Sequence, residues 1–183
     1  MNFKRYNLRK VSINIFAALL FITANAYAQN PEKEMFDKGN DYFKSKMYDK
    51  AISAFNTAVQ IKPRYGAAYY HRGRAYVENG DLDQAISDYT KAIELNSNYT
   101  KAYYRRGLAY AKKGDLDQAI SDYAKAIELD PKLVGAYHNR ASVYFLKQEY
   151  NKCWEDVHRL EALGEKLHPE FLEQLKRLSG RER

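Results

Sequence analysis

The sequence repeats itself every 34 residues. Residues 66–99 and 100–133 are identical at 22 of 34 aligned positions, and the ten residues 80–89 (GDLDQAISDY) recur unchanged at 114–123. The same frame extends backwards over 32–65 and forwards over 134–167. A tandem repeat of this length indicates a solenoid, in which each unit buries its apolar face against its neighbours.

Each unit has the pattern of two short helices joined by a tight turn. Gly73 and Tyr76 lie at helical spacing on one face of the first helix. Gly80 is placed to end that helix, because glycine readily adopts the left-handed conformation found there. Asp81, followed three residues later by Gln84, is typical of a helix start. The short connection predicts that the two helices are antiparallel neighbours.

These residues resemble the tetratricopeptide (TPR) repeat family, whose two helices carry small and aromatic residues at fixed positions. The small position of the first helix reads Gly39, Gly73, Gly107 and Ala141. The aromatic position of the second helix reads Phe55, Tyr89, Tyr123 and Val157. The match is strong in three units and degenerate in the fourth, as is expected of a terminal repeat. The resemblance implies an all-α, right-handed superhelical solenoid of four TPR hairpins plus a C-terminal capping helix.

The predicted boundaries follow the repeat frame. They are a cleavable signal peptide (1–28), a short leader (29–31), TPR 1 (32–65), TPR 2 (66–99), TPR 3 (100–133), a degenerate TPR 4 (134–167), a capping helix (168–179) and a tail (180–183). The last helix carries Phe171, Leu172, Leu175 and Leu178 on one side. We expect that side to cover the apolar face of the fourth unit.

The first 28 residues have the pattern of an export signal. Four basic and no acidic side chains precede the apolar stretch 11–22, and Ala26-Tyr27-Ala28 supplies the small residues of a signal peptidase site. We predict cleavage before Gln29 and export to the periplasm or the exterior of a bacterial cell. The alternative is an uncleaved membrane anchor, although the uninterrupted apolar run 15–22 is shorter than the roughly 20 residues of a spanning helix.

The charge of the chain depends largely on this leader. Without residues 1–28 the formal net charge falls from +7 to +3. A basic composition is therefore weak evidence for nucleic acid, which we do not predict as a partner. Membrane contact is predicted only through an uncleaved leader.

The sequence contains no recognisable catalytic or metal-binding pattern. Phosphate-binding glycine loops, HExxH, GxSxG and spaced Cys/His clusters do not occur. Cys153 is the one cysteine, which excludes an internal disulfide framework. It stands where other units have alanine, so we expect a small buried residue. The prediction is a protein that is not an enzyme and has no metal or cofactor.

An arginine of the first helix occurs together with an aspartate of the second. Arg72, Arg106 and Arg140 accompany Asp88, Asp122 and Asp156, whereas the first unit has Lys38 and Ala54. This joint occurrence favours a bidentate pair between the two helices. The alternative is a basic ladder that binds phosphate or an acidic tail.

In the TPR family the first helices line a concave groove, and the resemblance implies a peptide site there. The predicted groove residues are Phe36, Asn40, Tyr70, His71, Arg74, Lys101, Tyr104, Arg105, His138 and Asn139. Aromatic platforms around a basic centre suit an extended or acidic segment of another protein.

One subclass of the family clamps a terminal carboxylate with two lysines, two asparagines and an arginine. Asn40, Lys101 and Arg105 match that clamp, but Phe36 and His71 replace a lysine and an asparagine. The clamp is therefore incomplete in this sequence.

Two functions remain open. The first is a protein–protein interaction adaptor that binds a partner segment in the groove. The second is a structural subunit of an envelope assembly, which contacts its partners through the convex face or the C-terminal helix. Self-association is possible in either case.

Overall fold

The computed structural model describes residues 30–180, and every regular element in that range is an α-helix. The helices are α1 (Pro31–Lys44), α2 (Tyr48–Ile61), α3 (Gly66–Asn79), α4 (Leu82–Leu95), α5 (Thr100–Lys113), α6 (Leu116–Leu129), α7 (Val134–Leu146), α8 (Tyr150–Ala162) and α9 (Pro169–Ser179). The predicted signal peptide, Gln29 and residues 181–183 lie outside the described residues.

The helices stack in the order of the sequence. Each of α1 to α8 packs mainly against its sequence neighbours, while α1, α3, α5 and α7 also contact one another in succession. Odd-numbered helices therefore form one layer and even-numbered helices the other. The predicted all-α solenoid of helix pairs is confirmed.

Left-handed turns join the two helices of each pair. Gly80 and Gly114 end α3 and α5 with φ of 89° and 86°. The Asp81 side chain accepts a hydrogen bond from the backbone N–H of Gln84 (3.2 Å), as predicted for the start of α4. In the first and fourth pairs the same turn is made by Lys46 and Gln148, with φ of 58° and 61°. A side chain in this conformation costs roughly 1 kcal/mol, so these two turns are the more strained.

The two helices of a pair approach each other closely, which explains why the first helix carries a small residue at a fixed position of the repeat. A Cβ atom on Gly107 would lie 2.8 Å from the Tyr123 ring, and one on Gly73 would lie 2.8 Å from Tyr89. In the fourth pair the aromatic is replaced by a valine, and there the small position is alanine: Ala141 and Val157 share one buried cluster. The fourth unit therefore keeps the contact packed by replacing both residues, the glycine with alanine and the aromatic with valine.

Alanine at position 107 is expected to destabilise the protein by about 1–3 kcal/mol, because the added methyl group overpacks the contact with Tyr123. In a Tyr123→Val background, which reproduces the fourth unit, the same Gly107→Ala change is expected to cost nothing or to stabilise the helix. Urea unfolding followed by circular dichroism measures both. An equal cost in the two backgrounds would refute the steric explanation.

Helix α9 closes the C-terminal end of the solenoid. Leu175 is fully buried, and Phe171 packs on Phe145 of α7 with ring centroids 5.5 Å apart. The Trp154 indole Nε1–H donates to the Ser179 hydroxyl (3.0 Å). Leu178 was expected on the covered side, but it is 44% exposed, one residue before the helix ends at Ser179.

Candidate functional site

A cavity of about 870 Å³ opens on the layer of odd-numbered helices, between α1, α3 and α5. Its walls come from three successive repeats and from the turn after α1. They are formed by Asn40, Phe43, Lys44, Lys46, Tyr48, His71, Arg74, Val77, Glu78, Tyr89, Arg105, Leu108, Ala109 and Lys112. Aromatic and aliphatic side chains alternate with charged ones, which is the composition expected of a ligand site.

The cavity is strongly basic. Five lysine and arginine side chains line it against the single acid Glu78. The arginines that form ion pairs within residues 30–180 are Arg72, Arg106 and Arg140. Arg74 and Arg105 form no ion pair among these residues. Arg74 stacks with its guanidinium carbon 4.5 Å from the centroid of the Phe43 ring, which orients it in the cavity.

His71 lies at the bottom of the site as a neutral ring. Its centroid is 5.1 Å from that of Phe36 and 5.3 Å from that of Tyr70. Burial, followed by the positive charges of Arg74 and Lys101, lowers the pKa of His71 to about 4. At neutral pH the imidazole therefore adds a hydrogen-bonding group and no positive charge.

The structure brings four of the ten predicted groove residues together on the cavity wall: Asn40, His71, Arg74 and Arg105. Phe36 lies beside His71, at the edge of the site. Tyr70, in contrast, is only 7% exposed and does not line the cavity. Its ring is covered by Tyr99, at a centroid distance of 5.1 Å, and packs in the core.

Four other predicted residues lie away from the cavity wall. The Asn139 side-chain amide donates to the Tyr104 hydroxyl (2.9 Å) and to the Gly135 carbonyl (2.8 Å), so it joins α5 to α7. His138 is partly exposed on α7, and Lys101 is exposed on α5. Lys101 acts on the site only through its charge on His71.

The repeat pattern did not predict Tyr89 as a residue of the cavity wall. This residue was predicted as the core aromatic of the second helix, and it is indeed 0% exposed. Tyr89 is nevertheless one of the residues that line the cavity, and its buried hydroxyl has no hydrogen-bond partner within residues 30–180. The sequence signal for a polar group here is that the position holds tyrosine, whereas the first unit has Phe55.

The arginine–aspartate series has a structural role. Arg106 donates from Nε to Asp122 Oδ2 (2.8 Å) and from an amino group to Oδ1 (2.7 Å), and Arg72 and Arg140 pair in the same way with Asp88 and Asp156. The predicted bidentate pair between helices is confirmed.

Arg72 and Arg106 also donate to a side chain of the preceding repeat. Arg106 donates to the Thr90 hydroxyl of the preceding repeat (2.8 Å) and lies 5.7 Å from the Tyr103 ring centroid. Burial alone would lower the pKa of Arg106, but the hydrogen bond and the charge of Asp122 raise it. The arginine therefore stays charged and joins three helices.

The part of the chain that the structure describes shows neither a membrane-length apolar helix nor a group of three metal-ligating side chains. Cys153 is fully buried, as predicted, and burial raises the pKa of its thiol to about 12.

Family models match the repeats. A TPR repeat model matches residues 39–80 and 73–114, and a tetratricopeptide repeat model matches residues 100–133. No curated protein is similar enough in sequence to count as a match.

Several solved structures are similar to this chain. The first TPR of Spaghetti (RPAP3), bound to the HSP90 peptide SRMEEVD, is 31% identical, with a TM-score of 0.63 over 64% of this chain and 94% of that one. The second TPR domain of human RPAP3, in complex with the HSP70 peptide SGPTIEEVD, is 29% identical, with a TM-score of 0.58 over 62% and 92%. MamA is 25% identical, with a TM-score of 0.72 over 90% and 95%.

The MamA likeness extends over nearly all of the described solenoid, whereas the two peptide-bound domains match a shorter part of it. The family models together span residues 39–133, which is half of the chain. Repeat period, helix pairs and family models agree: the chain belongs to the tetratricopeptide repeat family.

Proposed function

We propose that this chain is a non-catalytic interaction adaptor, which binds an extended and acidic segment of another protein in the cavity between α1, α3 and α5. The observation that carries the proposal is the pair of arginines, Arg74 and Arg105, which face an open cavity without an acidic partner among the described residues. An acidic segment would neutralise them, while Phe43, Val77 and Leu108 supply apolar contact area.

The peptide-bound relatives support the class of ligand. Both RPAP3 domains hold short peptides whose sequences end in EEVD. At two positions of the terminal-carboxylate clamp this chain has Phe36 and His71, and the structure buries His71 as a neutral ring. We therefore propose an acidic segment, and not the same chaperone tails, as the ligand.

Lysine cross-linking tests this proposal. The chain carries cavity lysines (Lys44, Lys46 and Lys112) and, on the even-numbered helices, exposed lysines that are not on the cavity wall (Lys91 and Lys152). After capture of a partner from an extract of the source cells, an amine-reactive cross-linker is expected to join the partner to the first group. Cross-links confined to the second group or to α9 would favour the structural-subunit function instead.

We also propose that the chain is exported, on the basis of the leader pattern alone. Protein recovered from the cell envelope is expected to begin at Gln29 and to contain 155 residues, which intact-mass measurement checks. A full-length chain in the envelope membrane would indicate an uncleaved anchor, and a full-length chain in the cytosol would refute export.

A further inference from the structure

The Tyr89 hydroxyl is the one buried side-chain polar atom within residues 30–180 that lacks a hydrogen-bond partner. Buried polar groups are nearly always paired, because leaving one unpaired costs free energy. The ring itself is well packed: Tyr89 contacts Tyr70 at a centroid distance of 5.9 Å and lies against Gly73. Phenylalanine would make the same ring contacts, as Phe55 does in the first repeat. The packing of the core therefore does not explain the hydroxyl.

Tyr89 lies on the wall of the cavity, and its hydroxyl is buried there. Tyr89 lines it together with Arg74 and Arg105, although the residue belongs to α4 and the arginines to α3 and α5. The charges of both arginines act to lower the pKa of Tyr89, while the larger effect of burial raises it overall. An O–H donor and two guanidinium groups thus share one space.

The Tyr89 hydroxyl and the guanidinium groups of Arg74 and Arg105 can all donate hydrogen bonds to one acceptor. A phenol O–H donates one hydrogen bond, and guanidinium groups are donors that carry positive charge. The group that satisfies all of them is an anionic acceptor with at least two oxygens, which describes a carboxylate. Neutral His71 at the bottom of the site offers no competing charge, and Glu78 is the single acid on the wall.

We propose that Tyr89 is a ligand-binding residue, whose hydroxyl donates a hydrogen bond to the side-chain carboxylate of an aspartate or glutamate in the bound segment, while Arg74 and Arg105 pair with the same carboxylate. This inference rests on the proposed groove function, and it adds the residue that selects the acidic group. A side chain is favoured over a chain terminus because the residues that would clamp a terminal carboxylate are incomplete here, with Phe36 and His71 in place of a lysine and an asparagine.

The test uses the full chain and pools of short peptides with acetylated N-termini, each pool prepared once with an amidated and once with a free C-terminus. In each pool the central residue is fixed as Asp, Glu, Asn or Gln, and the flanking positions are randomised. We expect the Asp and Glu pools to bind more tightly than the Asn and Gln pools. Tyr89→Phe is expected to weaken binding of the acidic pools by about tenfold and to leave the amide pools unchanged.

Two features separate this result from a folding defect. Tyr89→Phe removes an unpaired hydroxyl, so its melting temperature is expected to be unchanged or raised. Tyr123→Phe makes the same substitution at the equivalent position of the next repeat, which does not line the cavity, and its binding is expected to equal that of the unaltered chain.

The outcomes distinguish the inference from the function on which it rests. If the acidic pools bind best but Tyr89→Phe binds them equally well, the role of Tyr89 is refuted and the groove function stands. If binding requires a free C-terminus, the side-chain carboxylate is refuted. If no pool binds in any form, both the inference and the groove function are overturned.

Discussion

Alanine in place of Arg106 is expected to destabilise the solenoid by about 3 kcal/mol, because it leaves a buried carboxylate without its partner. Asp122 is 5% exposed and accepts two hydrogen bonds from Arg106. The substitution also removes the bond to Thr90 of the preceding repeat and the contact with the Tyr103 ring. Urea unfolding followed by circular dichroism measures the loss.

Matched variants separate the buried charge from lost packing. Arg140 makes the same pair with Asp156, but Ala124 stands where the preceding repeats have Asn56 and Thr90, so Arg140→Ala is expected to cost less than Arg106→Ala. The double variant Arg106→Leu/Asp122→Leu is expected to recover much of the lost stability, since neither charge remains buried. Unchanged stability in Arg106→Ala would contradict a structural role. It would favour the alternative, in which these arginines form a basic surface that binds phosphate or an acidic tail.

The repeat made the helix pairs and the arginine–aspartate contact predictable. Three repeats carry both the arginine and the aspartate, and the first repeat carries neither of these two residues, so the contact was predictable from the sequence. The third acceptor of Arg106 was not visible, because it belongs to the preceding unit and changes from Asn56 to Thr90 to Ala124 along the chain. Residues that contact each other inside one repeat recur every 34 positions. Residues that contact the neighbouring repeat differ more from one repeat to the next.

The groove surface was predictable only in part. Tyr70 and His71 are adjacent on α3, and the 34-residue sequence repeat alone does not indicate which of the two side chains faces the cavity. The structure turns Tyr70 inward because Tyr99, from the turn before α5, covers its ring. Likewise, Tyr104 and Asn139 lie on neighbouring repeats and bond to each other. Their pairing depends on how the repeats stack, which the sequence pattern does not fix.

Lys46 and Gln148 show a further limit of the pattern. The glycines at positions 80 and 114 predicted left-handed turns in the two central pairs. The outer pairs adopt the same conformation with a lysine and a glutamine. Packing of the helices on either side of the turn imposes this geometry, and it overrides the local preference of the residue.

Reversing the two cavity arginines is the second change with a large expected effect. Arg74→Glu/Arg105→Glu converts the unpaired cations of the site into anions, so an acidic segment would meet repulsion where it now meets attraction. Placing like charges opposite each other across an interface typically costs several kcal/mol. We therefore expect the affinity for the captured partner to fall about a hundredfold or more. Neither arginine forms an ion pair within the described residues, so folding is expected to be retained.

The most direct test of groove recognition is therefore one affinity measurement on three proteins: the unaltered chain, Arg74→Glu/Arg105→Glu and the control Lys91→Glu/Lys125→Glu. The control makes the same change in net charge on α4 and α6, at lysines whose ion pairs within residues 30–180 are with Glu94 and Glu128 on the same helices. Groove binding predicts that the arginine variant loses the partner and the lysine variant keeps it. Equal affinity of all three proteins, or loss in the lysine variant alone, would contradict recognition through the cavity.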